Sequence, residues 1–381
     1  MARLPVTCLV QHQKKRKQKS NQMINIDLIQ AAQGDCIWIE YGEDTDSLHR
    51  ILIDGGTQGT YKHLKKRIEN LPAEERHFDL LVITHIDSDH IAGILELIEN
   101  EGLGITFSDI WFNGYRHLGK SNIRGVKQAE VLSDYLEKPH INWNKAFNGK
   151  AACVDKQGKF PPFELPGGMK LTLLSPTKKA LANLKPHWTE ILKDEGLLPG
   201  QKVIYAEEVD THPLGSKNFA DAVLPDIANL AETSFRSDAS LKNGSSIAFL
   251  AEYDGKKMLF TGDAYATILL DSIKKYLPGC EPLYLDLFKI PHHGSVGNIS
   301  KKLLERIRCS TYLISANGAY HGHPDEIAIA RLIKYGGHKP DLYFNYLSKF
   351  NEIWKHPVLQ KEYHYFAHYP NDDQTAISIH F

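Results

Sequence analysis

Apolar positions along the chain recur with two different periods. From Met23 onward they form short runs suited to strands: Ile24-Asn25-Ile26-Asp27-Leu28-Ile29, Cys36-Ile37-Trp38-Ile39-Glu40-Tyr41 and Arg50-Ile51-Leu52-Ile53. Turn residues such as Gln33-Gly34-Asp35 separate them, and Asp54-Gly55-Gly56 closes the third. A helix is predicted from about Tyr61 to Asn70, with Lys62, Lys65, Lys66 and Arg67 as its solvated face. Leu80-Leu81-Val82-Ile83 is apolar throughout, as a strand buried on both faces must be, and Ile91, Ile94, Leu95 and Ile98 follow at the i, i+3, i+4, i+7 spacing of a helix. The intervening Thr84-His85-Ile86-Asp87-Ser88-Asp89-His90 is therefore a strand-to-helix turn. A further strand is expected near Asp109 to Phe112.

Residues 113–243 carry a weaker pattern: helical stretches over Val126 to Leu136 and Lys178 to Lys193, a strand at Met169 to Leu174, and loops rich in Pro and Gly. They read as an elaboration inserted into the domain, because regularity resumes at Ser245. Ser246 to Tyr253 and Lys256 to Thr261 flank Asp254-Gly255 as a hairpin should. The second strand runs into Gly262-Asp263-Ala264 and a helix to about Leu277. A strand over Tyr284 to Ile290 runs into Pro291-His292-His293-Gly294-Ser295. Another, Thr311 to Ser315, leads to His321-Gly322-His323-Pro324 and a helix from Asp325, and Thr375 to Phe381 reads as a closing strand. Polar residues thus stand repeatedly at the ends of buried strands, where α/β proteins build their sites.

Composition narrows the function. Lys+Arg 45 against Asp+Glu 46 leaves a net charge of -1 over 381 residues, so no whole-protein field holds nucleic acid or an anionic membrane. The basic stretch from Gln11 to Gln22 is the exception; residues 1–22 are expected to be a disordered tail, with Met23 a candidate for the biological start. Cys8, Cys36, Cys153, Cys280 and Cys309 form no C-x-x-C pair, which fits a reducing, cytoplasmic setting. No run approaches the roughly 18 apolar residues of a membrane span, and the N-terminus lacks the apolar core of a signal peptide.

The turn at Thr84 to His90 carries the chemistry. His85, Asp87, Asp89 and His90 offer nitrogen and oxygen ligands to first-row divalent metals in front of a strand end. The plainer alternative makes Ser88 or Asp89 a helix N-cap, Asp87 a turn residue and the histidines loop surface. The distant motifs weigh against it. His85-x-Asp87-x-Asp89-His90, Gln33-Gly34-Asp35, Leu52-Ile53-Asp54-Gly55-Gly56, Asn243-Gly244-Ser245-Ser246, Phe260-Thr261-Gly262-Asp263, Pro291-His292-His293-Gly294-Ser295 and Gly322-His323-Pro324 together resemble the metallo-β-lactamase superfamily. Within it they look like the ComEC-type hydrolase domains of DNA uptake, over a core from about 23 to 335.

The resemblance implies a four-layer αββα sandwich over 23–381, with 113–243 inserted and 336–381 a C-terminal extension, and two divalent metal ions, Zn or Mn, at one edge of the sheets. His85 and Asp87 would serve the first metal, Asp89 and His90 the second, Asp263 would bridge them, and His292 would complete the second set. His293 would contact substrate or support a ligand, Asp89 would orient or deprotonate water, and His323 would protonate the leaving oxygen or bind phosphate. A further histidine for the first metal has its best candidate in His117. Two ions about 3.5–4 Å apart can share a hydroxide nucleophile at neutral pH, and replacing a histidine by Asp87 makes Mn²⁺ a rival to Zn²⁺. The leading expectation is a phosphodiesterase or nuclease acting on nucleic acid or a nucleotide. Alternatives are hydrolysis of an amide, ester or lactone, and a metal-binding component that works with a protein partner in a bacterial defence system. No membrane association is expected.

Overall fold

Alternation in the first three strands decides where the interior lies. The computed structural model describes residues 22–43, 47–119, 131–155, 159–196 and 223–381; the basic tail expected at 1–22 and the start of the helix expected from Val126 fall outside them apart from residue 22. Ile24, Ile26 and Leu28 of the strand Met23–Ile29 share one buried face with Ile37, Ile39, Ile51 and Ile53. Antiparallel pairing sets Ile26 opposite Ile39 and Ile39 opposite Ile51, so these three strands present a largely aliphatic face.

Two sheets pack through that face. The first has the strand order Ala376–His380, Met23–Ile29, Ile37–Gly42, His49–Ile53, Leu80–Val82, Ile110–Trp111. The second runs Phe366–His368, Asp341–Phe344, Thr311–Ile314, Leu287–Lys289, Lys256–Phe260, Ala248–Tyr253, Lys170–Ser175, Phe163–Glu164. Leu171, Leu173, Phe249, Ala251, Met258, Phe260, Leu287 and Leu313 of the second sheet meet the isoleucines of the first. Outside the first sheet, Leu64 and Ile68 of the helix Tyr61–Glu69 and Ile91, Ile94 and Leu95 of the helix Ser88–Glu99 cover Trp38, Leu52 and Leu81. Outside the second, the helices Ala266–Tyr276 and Glu326–Tyr335 cover Leu250, Leu259, Phe288 and Tyr312. The result is the four-layer αββα sandwich.

Some expected elements take a different form. Tyr284 to Ile290 is two strands: Leu283–Leu285 pairs with Ile307–Cys309 in a separate small sheet, and Leu287–Lys289 enters the eight-stranded one. Asp286 makes the break, because its carboxylate accepts from Lys257 N at 2.9 Å and pairs with Lys256 Nζ at 3.0 Å. The helix predicted over Lys178 to Lys193 is divided into Lys178–Leu184 and Trp188–Asp194 by a tight turn holding Pro186, which has no amide hydrogen to continue the ladder. The span 113–243 also supplies the strand Lys170–Ser175 to the second sheet, and Leu181, Leu184, Trp188 and Leu192 pack on the outer layer of the first. The span 336–381 adds strands to both sheets, and Ile379 pairs with Ile26.

His49–Ile53 and Leu80–Val82 are parallel in the first sheet, as are Lys256–Phe260, Leu287–Lys289 and Thr311–Ile314 in the second. The polar segments that follow these strands therefore leave from a common end of each sheet. Among the described residues, no helix is long and apolar enough to cross a membrane.

Two close backbone approaches hold the metal-turn helix in place. A Cβ on Gly34 would lie 1.6 Å from the Asp89 carbonyl oxygen, and one on Gly93 would lie 2.0 Å from that of Gly55. Gly93→Ala is expected to destabilise the protein by roughly 1–3 kcal/mol through overpacking, seen as a lower urea midpoint with unchanged slope.

Candidate metal centre

The strand Leu80–Val82 delivers Thr84 beside Asp54, the residue that follows the neighbouring parallel strand. Asp54 Oδ1 accepts from Thr84 N at 2.7 Å, and its Oδ2 accepts from Thr84 Oγ1 at 2.8 Å and from His90 Nδ1 at 2.8 Å. With its hydroxyl hydrogen committed to Asp54, Thr84 Oγ1 accepts from His85 Nδ1 at 3.0 Å. Both rings thus present Nε2 forward. Asp87 occupies the N-cap position of Ser88–Glu99 in extended conformation, with no side-chain capping bond. The carboxylates of this turn are therefore not explained by helix capping.

The second sheet brings the matching half. Asp263 follows Lys256–Phe260, and its oxygen Oδ2 lies 3.7 Å from His85 Nε2, 3.5 Å from His90 Nε2, 3.8 Å from His292 Nε2 and 3.6 Å from His293 Nε2. His90 Nε2 and His293 Nε2 are 3.3 Å apart. Asp89 reaches the same pair, with Oδ2 3.5 Å from His293 Nε2 and Oδ1 3.9 Å from His90 Nε2. Asp87 Oδ2 lies 3.6 Å from His85 Nε2. Donors held about 2.0–2.2 Å from a common ion stand roughly 3–3.6 Å from one another, which is close to this spacing. His85 Nε2 and Asp263 Oδ1 are buried without a hydrogen-bond partner, and a divalent ion would satisfy such atoms. The donor set fits divalent metal.

His292 and His293 exchange the places the sequence suggested. His292, directly at the strand end, was expected to join Asp89 and His90, with His293 behind it. Both residues have positive φ, 48° and 53°, and this reversal turns the buried His293 toward Asp89 and His90. His292 stays partly exposed, with Nδ1 donating to Asn298 Oδ1 at 3.0 Å and lying 3.5 Å from Asp238 Oδ2. His323 lies at the rim: its ring centroid is 5.4 Å from that of His292, and its Nδ1 is 3.6 Å from Asp325 Oδ2. His117 is engaged away from this cluster, edge-on to Trp143 and accepting from Arg116 Nε at 3.2 Å. Burial and the neighbouring guanidinium push its pKa down to about 4.

Three supporting residues were not singled out in the sequence. Asp35 groups with His90, Asp263 and His293 as a set able to hold an ion. Its Oδ1 nevertheless faces His293 Nδ1, at 3.4 Å, and its Oδ2 is paired with the buried Lys289. Asp35 thus stands behind His293, whose Nδ1 donates to Ser315 O at 3.0 Å, and supports the ring rather than the ion. The signal was present in Gln33-Gly34-Asp35, but a lone motif does not say what it touches. Lys242 Nζ is 3.1 Å from Asp87 Oδ1 and is also paired with Glu195, whose other oxygen accepts from Ser88 N at 2.9 Å. Neither Lys242 nor Glu195 belongs to a motif that names a site.

Electrostatics bind the metal-free cluster together. Burial alone would raise Asp263 and Asp89, yet the surrounding histidines hold both carboxyls well below the ordinary range. Burial alone would lower His293, but Asp263, Asp35 and Asp89 outweigh it and raise the ring from 6.5 to about 10. The carboxylate contribution to stability is present above the ordinary carboxylate pKa and lost as pH falls through the depressed values. The His293 contribution is complete below 6.5 and lost as pH rises toward about 10. Metal-free protein should therefore have a lower urea midpoint at about pH 9.5 than at about pH 6. Equal midpoints would show that His293 does not gain this partner charge. Asp54→Asn should weaken divalent metal binding on the order of 10- to 100-fold, measured by calorimetry, because His90 loses the acceptor that fixes its ring.

Residues 30–216 match the sequence model of the Metallo-beta-lactamase superfamily. That span holds Asp35, Asp54 and the turn from His85 to His90, while Asp263 and His293 lie beyond it. No curated protein matches the sequence. Among solved structures, the chain is similar to the metallo-beta-lactamase fold protein YhfI from Bacillus subtilis, with 11% identity and a TM-score of 0.40 over 95% of this chain and 100% of that one. A long form RNase Z from yeast is similar at 9% identity and a TM-score of 0.38, over 92% of this chain and 44% of that one. The metallo-beta-lactamase SMB-1, bound to 2-mercaptoethanesulfonate, is similar at 12% identity and a TM-score of 0.29, over 82% of this chain and 95% of that one. The sequence match thus assigns a metallo-beta-lactamase superfamily domain to residues 30–216, and the two facing sheets carry a His/Asp cluster at their common edge.

Proposed function

We propose that this protein is a metal-dependent phosphodiesterase of ComEC type, acting on nucleic acid or a nucleotide. The observation that carries the metal-dependent reading is the convergence of four imidazole Nε2 atoms within 3.5–3.8 Å of one buried carboxylate oxygen, that of Asp263. Asp89, His90 and His293 would hold one ion, His85 and Asp87 the other, and Asp263 would lie between them. His292, the fourth imidazole at Asp263, is the further histidine available to the first ion, a role the sequence had sought in His117. Divalent ions in these positions would supply an activated water and neutralise charge on the attacked group.

The chain's own groups supply the remaining functions. Asp54, Thr84 and Ser315 fix the ring nitrogens that face away from the centre, so no histidine must reorient as substrate arrives. Asp89 is partly exposed, and its carboxylate can orient a water entering beside it. His323 lies at the rim beside His292 and would protonate a leaving oxygen. Three carboxylates around the centre, Asp87, Asp89 and Asp263, favour harder ions, which supports Mn²⁺ and a phosphoryl substrate.

The test is Mn²⁺-dependent hydrolysis of bis(p-nitrophenyl) phosphate and of single-stranded DNA. Turnover should appear in the wild type and fall at least about 100-fold in Asp89→Ala, while His117→Ala keeps wild-type rates. His323→Ala should lower kcat with little change in KM, and less for a substrate whose leaving group needs no proton. A metal-loaded wild type inert on both phosphodiesters but active on a lactam or lactone reporter would replace this reading with amide or ester hydrolysis. Inertness on all of them, with a co-purifying partner, would leave a partner-dependent component instead.

A further inference from the structure

We propose that Lys242 sets the affinity of the first metal position and that Glu195, from the inserted segment, controls how strongly it does so; this rests on the two-metal reading above. Asp87 is shared between two demands. Its Oδ2 faces His85 Nε2 at 3.6 Å, while its Oδ1 is 3.1 Å from the Lys242 ammonium. A cation on one carboxylate oxygen takes up charge that a metal on the other would use. It also stands within a few ångströms of that divalent ion, where the charge product is twice that of a monovalent pair and part-burial limits screening. Lys242 and Asp87 side chains are 26% and 17% exposed, so the pair is sheltered though not sealed.

The second position differs from the His85 and Asp87 pair in its surroundings. Its histidines are backed by carboxylates, Asp54 on His90 and Asp35 beside His293, which raise the basicity of the imidazole facing the ion. Asp89 has histidines against it, not a lysine. Among the described residues, His85 is backed by the Thr84 hydroxyl alone. The two positions are thus built unequal, and the difference is concentrated on Asp87. Lys242 also orients Asp87, a favourable effect that mutagenesis of such outer partners values at 10- to 100-fold. Repulsion of a divalent ion acts in the opposite sense and outweighs it at this range.

Glu195 gives the arrangement an input. One of its oxygens pairs with Lys242 and the other accepts from Ser88 N, inside the metal turn. It lies at the end of the helix Trp188–Asp194, which packs on the first sheet through Trp188 and Leu192. A movement of this helix changes how fully the ammonium is neutralised, and with it the occupancy of the first metal position. The inserted segment therefore reports to the metal centre through one lysine.

Mn²⁺ binding to metal-free full-length protein, followed by calorimetry and by the EPR signal of free Mn²⁺, tests this without reference to turnover. Wild type should show a tight and a weak class. Lys242→Met should tighten the weak class about tenfold or more and leave the tight class within about twofold, and Glu195→Gln should loosen the weak class. Lys242→Gln serves as a second neutral variant, and thermal melts establish that each is folded. Two classes in wild type with a weak class unchanged or loosened in both folded lysine variants would overturn the role of Lys242 while leaving two metals intact. Absence of Mn²⁺ binding in wild type would overturn the two-metal reading and this inference with it.

Discussion

Asp263 Oδ2 sits within reach of four imidazoles in a buried place, and the rest of the structure answers to that constraint. Histidine nitrogens and carboxylate oxygens removed from water are costly unless something takes up their lone pairs or charge. Without metal, the buried charges offset one another, which is why Asp263 and Asp89 are held low and His90 and His293 are held high. Divalent metal would take the place of the protons on the same atoms. Neither state is attainable unless the rings are held from behind.

That holding explains several features with no chemistry of their own. Asp54 commits both oxygens to Thr84 and His90, so the end of His49–Ile53 locks the turn after the neighbouring strand Leu80–Val82. The buried Lys289–Asp35 pair joins the second sheet to the turn after Ile29 and lies behind His293. Breaking one partner of such a pair strands a charge in the core, a cost of several kcal/mol in general. Gly34 lets this turn approach the backbone of Asp89, where any side chain would collide. Two sheets, each supplying half of the donor set, are thereby held in register at one edge.

The segments outside the motifs are also tied to this edge. Glu195 reaches from the span 113–243 to Ser88 and Lys242, and Asn345, after Phe344, donates to Ile29 O at 3.0 Å and to Ser315 Oγ at 3.0 Å. Ser315 O in turn receives His293 Nδ1. The late strands of the second sheet thus brace the His90 and His293 side of the cluster, while Glu195 from the span 113–243 braces the Asp87 side. Changes in either segment can reach the centre without touching a ligand.

The sequence by itself determined the elements and the cast of the site. Period-two runs placed the opening strands and Asp254-Gly255 marked the hairpin, because these signals are local; the turn from His85 to His90 stood out by its ligand types, and Asp263 and the His292-His293 pair through the motifs that resemble the superfamily. Tertiary structure alone decided which histidine faces Asp89. The choice between His292 and His293 depends on two positive φ values that no periodicity encodes. It also alone showed what Asp35, Lys242 and Glu195 touch, because their partners lie far away in sequence: Asp35 meets Lys289 from 254 positions off, and Lys242 meets Glu195 from 47. A side chain's type announces what it can bind, but only the packing of two sheets and an inserted helix says what stands opposite it.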